Sequence, residues 1–245
     1  MTVATPRLAR VTATVALGDD TRLIELETAE PLGFVGGQYL IVDTGLVAVS
    51  GKAIKRAYSL LTGDAHQQRF QVAVKRLSQG GASAYLHTIE VGAEVRFSGP
   101  WGKLQPLVGA SGRALVLATD TGITAALGLL RGARFAPLLA ECTLVWLRTS
   151  PDYFLPDAFV RAALPPELRE ARFGPLPEID APERIPRCLG ILREAHAVAA
   201  LGQAFLAGDG AVNYALLEEL GRLGVVADRD SVESFFNMPK KSAAA

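Results

Sequence analysis

The chain has 245 residues, of which 49% are hydrophobic and 20% charged, and its formal net charge is zero. That length and apolar content suit one large core or two modest ones, with two expected, and the charge balance excludes a global field drawing the chain to nucleic acid or anionic lipid. The two cysteines, Cys142 and Cys188, have no C-x-x-C or metal-ligand spacing, so buried thiols in a reducing compartment are expected rather than a disulfide, a cluster or a metal site. No apolar run reaches the ~18 residues of a membrane span, and Met1–Arg7 lacks a basic-then-apolar leader, so a cytoplasmic location is expected.

From Leu8 to about Leu104 the chain reads as β. The predicted strands are Arg10–Leu17, Thr21–Thr28, Gln38–Thr44, Arg56–Thr62, Phe70–Leu77 and Glu94–Ser98, each rich in Val, Ile and Leu and bounded by Gly, Asp or Pro. With one short helical interruption they predict a closed antiparallel β-barrel. After the small-residue linker Gly109–Gly112 the pattern changes to continuous apolar strands alternating with helices. Strands are predicted at Ala114–Thr119, Cys142–Leu147, Arg169–Phe173 and Ala204–Ala207, and helices at Thr124–Leu130, Pro156–Ala163, Ile185–Arg193 and Ala211–Leu220. That alternation predicts a parallel-sheet α/β domain, ending in a strand Ser231–Phe236 and a disordered tail Lys240–Ala245. The expected division is residues 1–108 for the β-barrel and 109–245 for the α/β domain.

Two small clusters carry chemistry. Arg56-Ala57-Tyr58-Ser59 and Gly80-Gly81-Ala82-Ser83 flank the alternating run Phe70–Leu77, and a hairpin-like excursion brings them together. Arg56 offers a planar fork of donors to a diphosphate, while Gly80 and Gly81 let backbone N–H groups approach phosphate oxygens at a helix start. Tyr58 gives an aromatic face and Ser59 a hydroxyl to flank a ring system.

These clusters resemble the flavin signature of the ferredoxin–NADP reductase superfamily, R-x-Y-S followed by G-x-x-S. The resemblance continues in Gly99-Pro100-Trp101-Gly102-Lys103-Leu104, in Ala118–Thr124 where the family carries a G-T-G-I-T loop, and in Ala207-Gly208-Asp209-Gly210 where it has C-G-P or C-G-N. It implies an FAD held by Arg56, Ala57, Tyr58, Ser59, Val74, Gly80, Gly81, Ala82 and Ser83, with Ser59 near the reactive ring nitrogen. It implies NADPH or NADH as co-substrate, received by Thr121, Gly122, Ile123, Thr124, Arg148, Arg184, Gly208 and Asp209. Glu233-Ser234-Phe235 resembles the family's acidic-x-aromatic ending, so Ser59, Glu233 and Phe235 form the expected catalytic set. Phe235 would cover the outer flavin face, with Phe236 as second choice, because strand alternation sends neighbours to opposite faces.

Three positions depart from the pattern. Asp120 replaces a loop glycine, and its carboxylate either points at the nucleotide diphosphate, weakening its binding, or serves as an Asx turn or helix cap, the reading preferred. Ala207 replaces a cysteine. Arg148 and Arg184, the latter in a G-R-I-P-like Glu183-Arg184-Ile185-Pro186, carry a lean toward NADPH, although Gly174-Pro175 stands where an S/T-R-E element is expected.

His66, His87 and His196 are scattered, and no nucleophile elbow, Walker loop or zinc signature is present. Lys52, Lys55, Arg56, Lys75 and Arg76 form a basic patch near the flavin clusters, suited to steering a small acidic carrier. The expected activity is hydride transfer between NAD(P)H and flavin, with single electrons passing to ferredoxin, flavodoxin or an oxygenase component. Two alternatives stand beside it: an NADH-linked oxygenase reductase component or flavin reductase, and an FAD-binding electron-transfer or regulatory subunit without productive NAD(P)H binding.

Overall fold

The computed structural model describes residues 6–78, 80–106 and 112–238. Strands β1 (Arg7–Ala16), β2 (Thr21–Glu27), β3 (Tyr39–Val47), β4 (Ala53–Ser59), β5 (Arg69–Lys75) and β6 (Glu94–Trp101) form one antiparallel sheet in the order β4-β3-β6-β1-β2-β5. Period-two alternation drives the curl. In β5, Phe70, Val72 and Val74 point into a core shared with Val11, Ile24, Leu40 and Phe97. The expected closed barrel is joined lightly: the edge strands β4 and β5 meet where Leu61 N–H donates to the Gln71 carbonyl at 3.0 Å, not along a full ladder. Helix α1 (Gly81–Thr88) follows β5.

The second half is a five-stranded parallel sheet, β11-β10-β7-β8-β9, built from β7 (Arg113–Thr119), β8 (Cys142–Arg148), β9 (Glu170–Pro175), β10 (Leu201–Asp209) and β11 (Val232–Phe236). Helices α2 (Ile123–Leu130), α3 (Asp157–Ala163), α4 (Arg184–Val198) and α5 (Gly210–Arg222) lie between strands. Strands buried on both faces read as continuous apolar runs, and here successive residues divide between two cores. Val116, Leu144, Trp146 and Phe205 pack with α2 and α3, whereas Leu115, Val145, Ala204 and Leu206 pack with α4 and α5. The strand order reverses between β7 and β10, so the crevice at their carboxyl ends is the expected ligand position.

Helix α2 joins the halves. All eight of its residues are buried, and its core also contains Leu23, Leu61, Ala73 and Leu104 from the first half. Gly128 lets the helix touch the backbone there, since a Cβ would collide with the Leu60 carbonyl oxygen. Each fully buried Leu contributes roughly 1.5–3 kcal/mol, so this shared core fixes the cleft between the sheets.

The expected boundary at residues 108 and 109 and the tail Lys240–Ala245 lie outside the described residues. Both cysteines are buried, and burial pushes each thiol up to about 12. Among the described residues no helix is long and apolar enough to cross a membrane, and no cluster of His, Cys, Asp or Glu is arranged to hold a metal.

Candidate functional site

A cleft of about 620 Å³ opens between the two sheets, lined by Arg56, Ala57, Tyr58, Ser59 and Gly80–Ser83 from the first half and by Thr121, Thr124, Thr149, Glu178 and Glu233–Phe236 from the second. The size suits a ring-bearing ligand. Residues far apart in sequence meet there because β4 and the start of α1 lie over the carboxyl ends of the parallel strands.

The first wall is built as its motifs suggest. Arg56 is exposed, donates through Nη1 to the Lys55 carbonyl at 2.8 Å, and has no carboxylate partner among the described residues. Tyr58 is half-buried against the barrel core, and desolvation, opposed by the Arg56 charge, pushes its phenol up to about 12, so it stays neutral. Ser59 is buried at the base of the cleft. Ser83 folds its own loop: its hydroxyl donates to the Gly80 carbonyl at 2.9 Å and accepts from Leu77 N–H at 3.1 Å. A Cβ on Gly80 would press on that hydroxyl. Val74 points into the barrel core; its neighbours Ala73 and Lys75 line the cleft, as alternation requires.

The second wall departs from expectation. Asp120 sits at φ 49° and bonds no helix N–H, so it is not a helix cap. Its carboxylate pairs with Arg184 Nη2 and accepts from Thr149 N–H at 3.1 Å. Arg184 also donates to Asp209 at 2.7 Å and to the Pro177 carbonyl at 2.6 Å, and its side chain is 2% exposed. Burial works against the guanidinium charge, but the hydrogen bonds that Arg184 donates to both carboxylates outweigh it and hold the Arg184 pKa above the ordinary value. Asp209 caps α5, accepting from Ala211 N–H at 2.9 Å, and also takes the Asn237 amide at 2.9 Å. An Asp–Arg–Asp triad thus fills the crevice between β7 and β10.

Arg184 and Asp209 therefore do not face the cleft as open nucleotide ligands. Arg148 is paired with Asp157 and stacked over Trp146 at 4.3 Å. Ile123 is core, and Gly122 and Gly208 serve close packing: a Cβ on either would strike the Ala207 or Thr119 carbonyl. Of the expected nucleotide set, Thr121 and Thr124 line the cleft.

The last strand also differs from simple alternation. A register shift against β10 between Gly208 and Asp209 leaves both Phe235 and Phe236 half-buried and lining the cleft. Glu233 stands beside them, and burial pushes its carboxyl up to about 7; burial, and after it the Glu233 charge, raises the Tyr39 phenol above its ordinary value. The basic patch is thinner than its sequence, since Lys55 pairs with Asp43 and Lys75 with Asp20, with Lys75 Nζ 4.4 Å from the Tyr153 ring centroid. Sequence reasoning missed Thr149, Tyr153 and Glu178, which sit on loops after β8 and β9 without a motif.

The comparisons agree with this geometry. Residues 8–105 match the family model for the oxidoreductase FAD-binding domain. The chain is similar to "Ferredoxin--NADP reductase B" of Sorangium cellulosum, 33% identical over 148 residues that cover 60% of this chain and 59% of that protein. The chain thus spans about three fifths of that relative's length. Among solved structures it is similar to a ferredoxin NADP+ reductase from Neisseria gonorrhoeae with bound FAD and NADP, at TM-score 0.73 and 19% identity over 96% of this chain and 100% of that one. A "Ferredoxin reductase in carbazole 1,9a-dioxygenase" gives TM-score 0.73 and 20% identity over 96% of this chain and 70% of that one.

Residues 8–105 thus match an oxidoreductase FAD-binding domain, and the chain as a whole shares the fold of these solved structures, an antiparallel β-barrel set on a parallel sheet.

Proposed function

We propose that the protein is an FAD-dependent reductase that takes hydride from NAD(P)H and passes single electrons to a separate carrier. One observation carries this reading: a single cleft gathers Arg56–Ser59, Gly80–Ser83, the start of α2 and the Glu233–Phe236 strand. These residues fit the group. Arg56 has no carboxylate partner among the described residues and lines the same cleft as the backbone of Gly80 and Gly81, which suits a diphosphate, and Tyr58 is a neutral aromatic. FAD, when bound, supplies two-electron acceptance and one-electron release.

The chain's residues bind, orient and handle the proton. Phe235 and Phe236 exclude water from the ring side of the cleft, and the buried Ser59 hydroxyl and the Glu233 carboxyl are the groups able to hold the proton that accompanies two-electron transfer. A carboxyl with a pKa about 7 is suited to both accepting and giving a proton near neutrality. We place the functional division between the first 108 residues and the rest. The carrier is an acidic protein such as a ferredoxin, a flavodoxin or an oxygenase component, as the names of the Sorangium and carbazole dioxygenase relatives suggest.

The triad filling the crevice between β7 and β10 favours a second reading, a subunit that keeps FAD but does not use pyridine nucleotide. Anaerobic stopped-flow mixing of the FAD-loaded protein with NADH and NADPH separates the two. Bleaching of the flavin absorbance by either nucleotide supports the reductase; an unreduced flavin supports the subunit.

A further inference from the structure

We infer that the second domain selects a dinucleotide with a free 2′-hydroxyl on its adenosine ribose, NADH over NADPH, and that Glu178 reads that hydroxyl; this rests on the nucleotide reading above. The strand order β11-β10-β7-β8-β9 gives the cleft a direction. Phe235 and Glu233 on β11 stand at the flavin end, Thr121 follows β7, and Thr149 and Glu178 lie beyond β8 and β9. A dinucleotide with its nicotinamide at the flavin therefore runs its adenosine half toward the loops after β8 and β9.

The two arginines closest to those loops in sequence are both committed. Arg148 is paired with Asp157, and Arg184 is shared between Asp120 and Asp209, which leaves the triad with a net charge of minus one. Recruiting Arg184 to a phosphate would strip a buried carboxylate of its counter-ion, a loss of ~100-fold or more in affinity. The described ionisable groups that the second domain gives to the cleft wall are Asp120, Tyr153, Glu178 and Glu233, with no lysine or arginine among them. Glu178 is exposed and has no ion-pair partner among the described residues. A free carboxylate there accepts a hydrogen bond from a ribose hydroxyl and repels a phosphate dianion.

The test uses the FAD-loaded protein, with calorimetric binding of NADH and NADPH measured beside anaerobic flavin reduction by each. Wild type should bind NADH at least ~10-fold more tightly than NADPH. Glu178→Arg should narrow that ratio ~10-fold or more, chiefly by improving NADPH, and Glu178→Gln should narrow it partly. Tighter NADPH binding by wild type overturns the inference while leaving the reductase reading intact. An NADH preference that Glu178→Arg leaves unchanged removes Glu178 from the role. Preferential NADH binding without reduction upholds the selectivity and sinks the reductase reading, and binding of neither nucleotide sinks both.

Discussion

Replacing Arg184 by Met tests whether the triad organises the second domain. The guanidinium is 2% exposed and meets the Asp120 and Asp209 carboxylates, which are 4% and 0% exposed. Methionine fills much of the same volume but leaves both carboxylates buried without a counter-ion. Breaking a buried ion pair costs ~3–5 kcal/mol. At ~2–4 °C per kcal/mol for a chain of this size, the melting temperature should fall by ~6–20 °C. Asp120→Asn, which leaves the Arg184–Asp209 pair, should cost less, ~1–2 kcal/mol. Differential scanning calorimetry gives the comparison, and FAD affinity well below the transition should change less than ~3-fold because Arg56 and Gly80 lie on the other wall. An Arg184→Met protein melting within ~3 °C of wild type would refute the claim that the triad holds the β7–β10 crevice together.

Glu233 gives a pH signature: its folded pKa of about 7 lies above the ordinary 4.5, so the fold prefers the protonated carboxyl. Its contribution is present below about pH 4.5 and lost as pH rises through 7, on the order of 2–3 kcal/mol in all. Glu233→Gln, a mimic of the protonated form, should therefore match wild type near pH 5 and exceed it in urea denaturation at pH 8; an unchanged difference at the two pH values refutes the burial argument. Arg56→Ala should weaken FAD binding by ~10-fold to ~100-fold in a fluorescence titration, and unaltered affinity would remove Arg56 from the diphosphate site. Phe235→Ser should tighten nicotinamide stacking and strengthen the charge-transfer band, whereas an unchanged spectrum would transfer the shielding role to Phe236. Asp120→Gly takes the triad from net minus one to neutral, with Arg184 still paired to Asp209, and should improve NAD(P)H affinity by ~3-fold to ~10-fold; unchanged affinity would mean that the charge of the triad is not felt by the nucleotide.

The fold was legible because both sheet types write their burial into local periodicity. Phe70, Val72 and Val74 alternate with residues of the outer face in β5, whereas Leu115, Val116, Leu117 and Ala118 run on without a break in β7, as a strand buried on both sides must. The wall formed by Arg56–Ser59 and Gly80–Ser83 was legible for a related reason: both are contiguous strings whose geometry depends on local backbone. Val74 shows the limit of that kind of reading, since the strand was right and the face was not. The shift between β10 and β11 is likewise a property of a pair of strands, and neither Phe235 nor Phe236 reveals it alone.

The opposite wall was misread because its decisive interaction spans the second sheet. Asp120 and Arg184 are 64 residues apart and Arg184 and Asp209 are 25 apart, and no local pattern links them. Each was judged singly, Asp120 as a cap and Arg184 as a phosphate ligand, although both interpretations need a group that the other already occupies. A signal did exist. Asp120 directly follows β7 and Asp209 ends β10, the two strands that flank the reversal in strand order, where a family loop of small neutral residues is expected, and two carboxylates brought to one crevice require a cation. Arg184, at the first turn of the helix that leads into β10, is the cation that the topology delivers there. Three charged residues at parallel-strand ends are thus one structural unit, and the charge left over for a ligand is that of the unit, minus one, rather than that of the arginine.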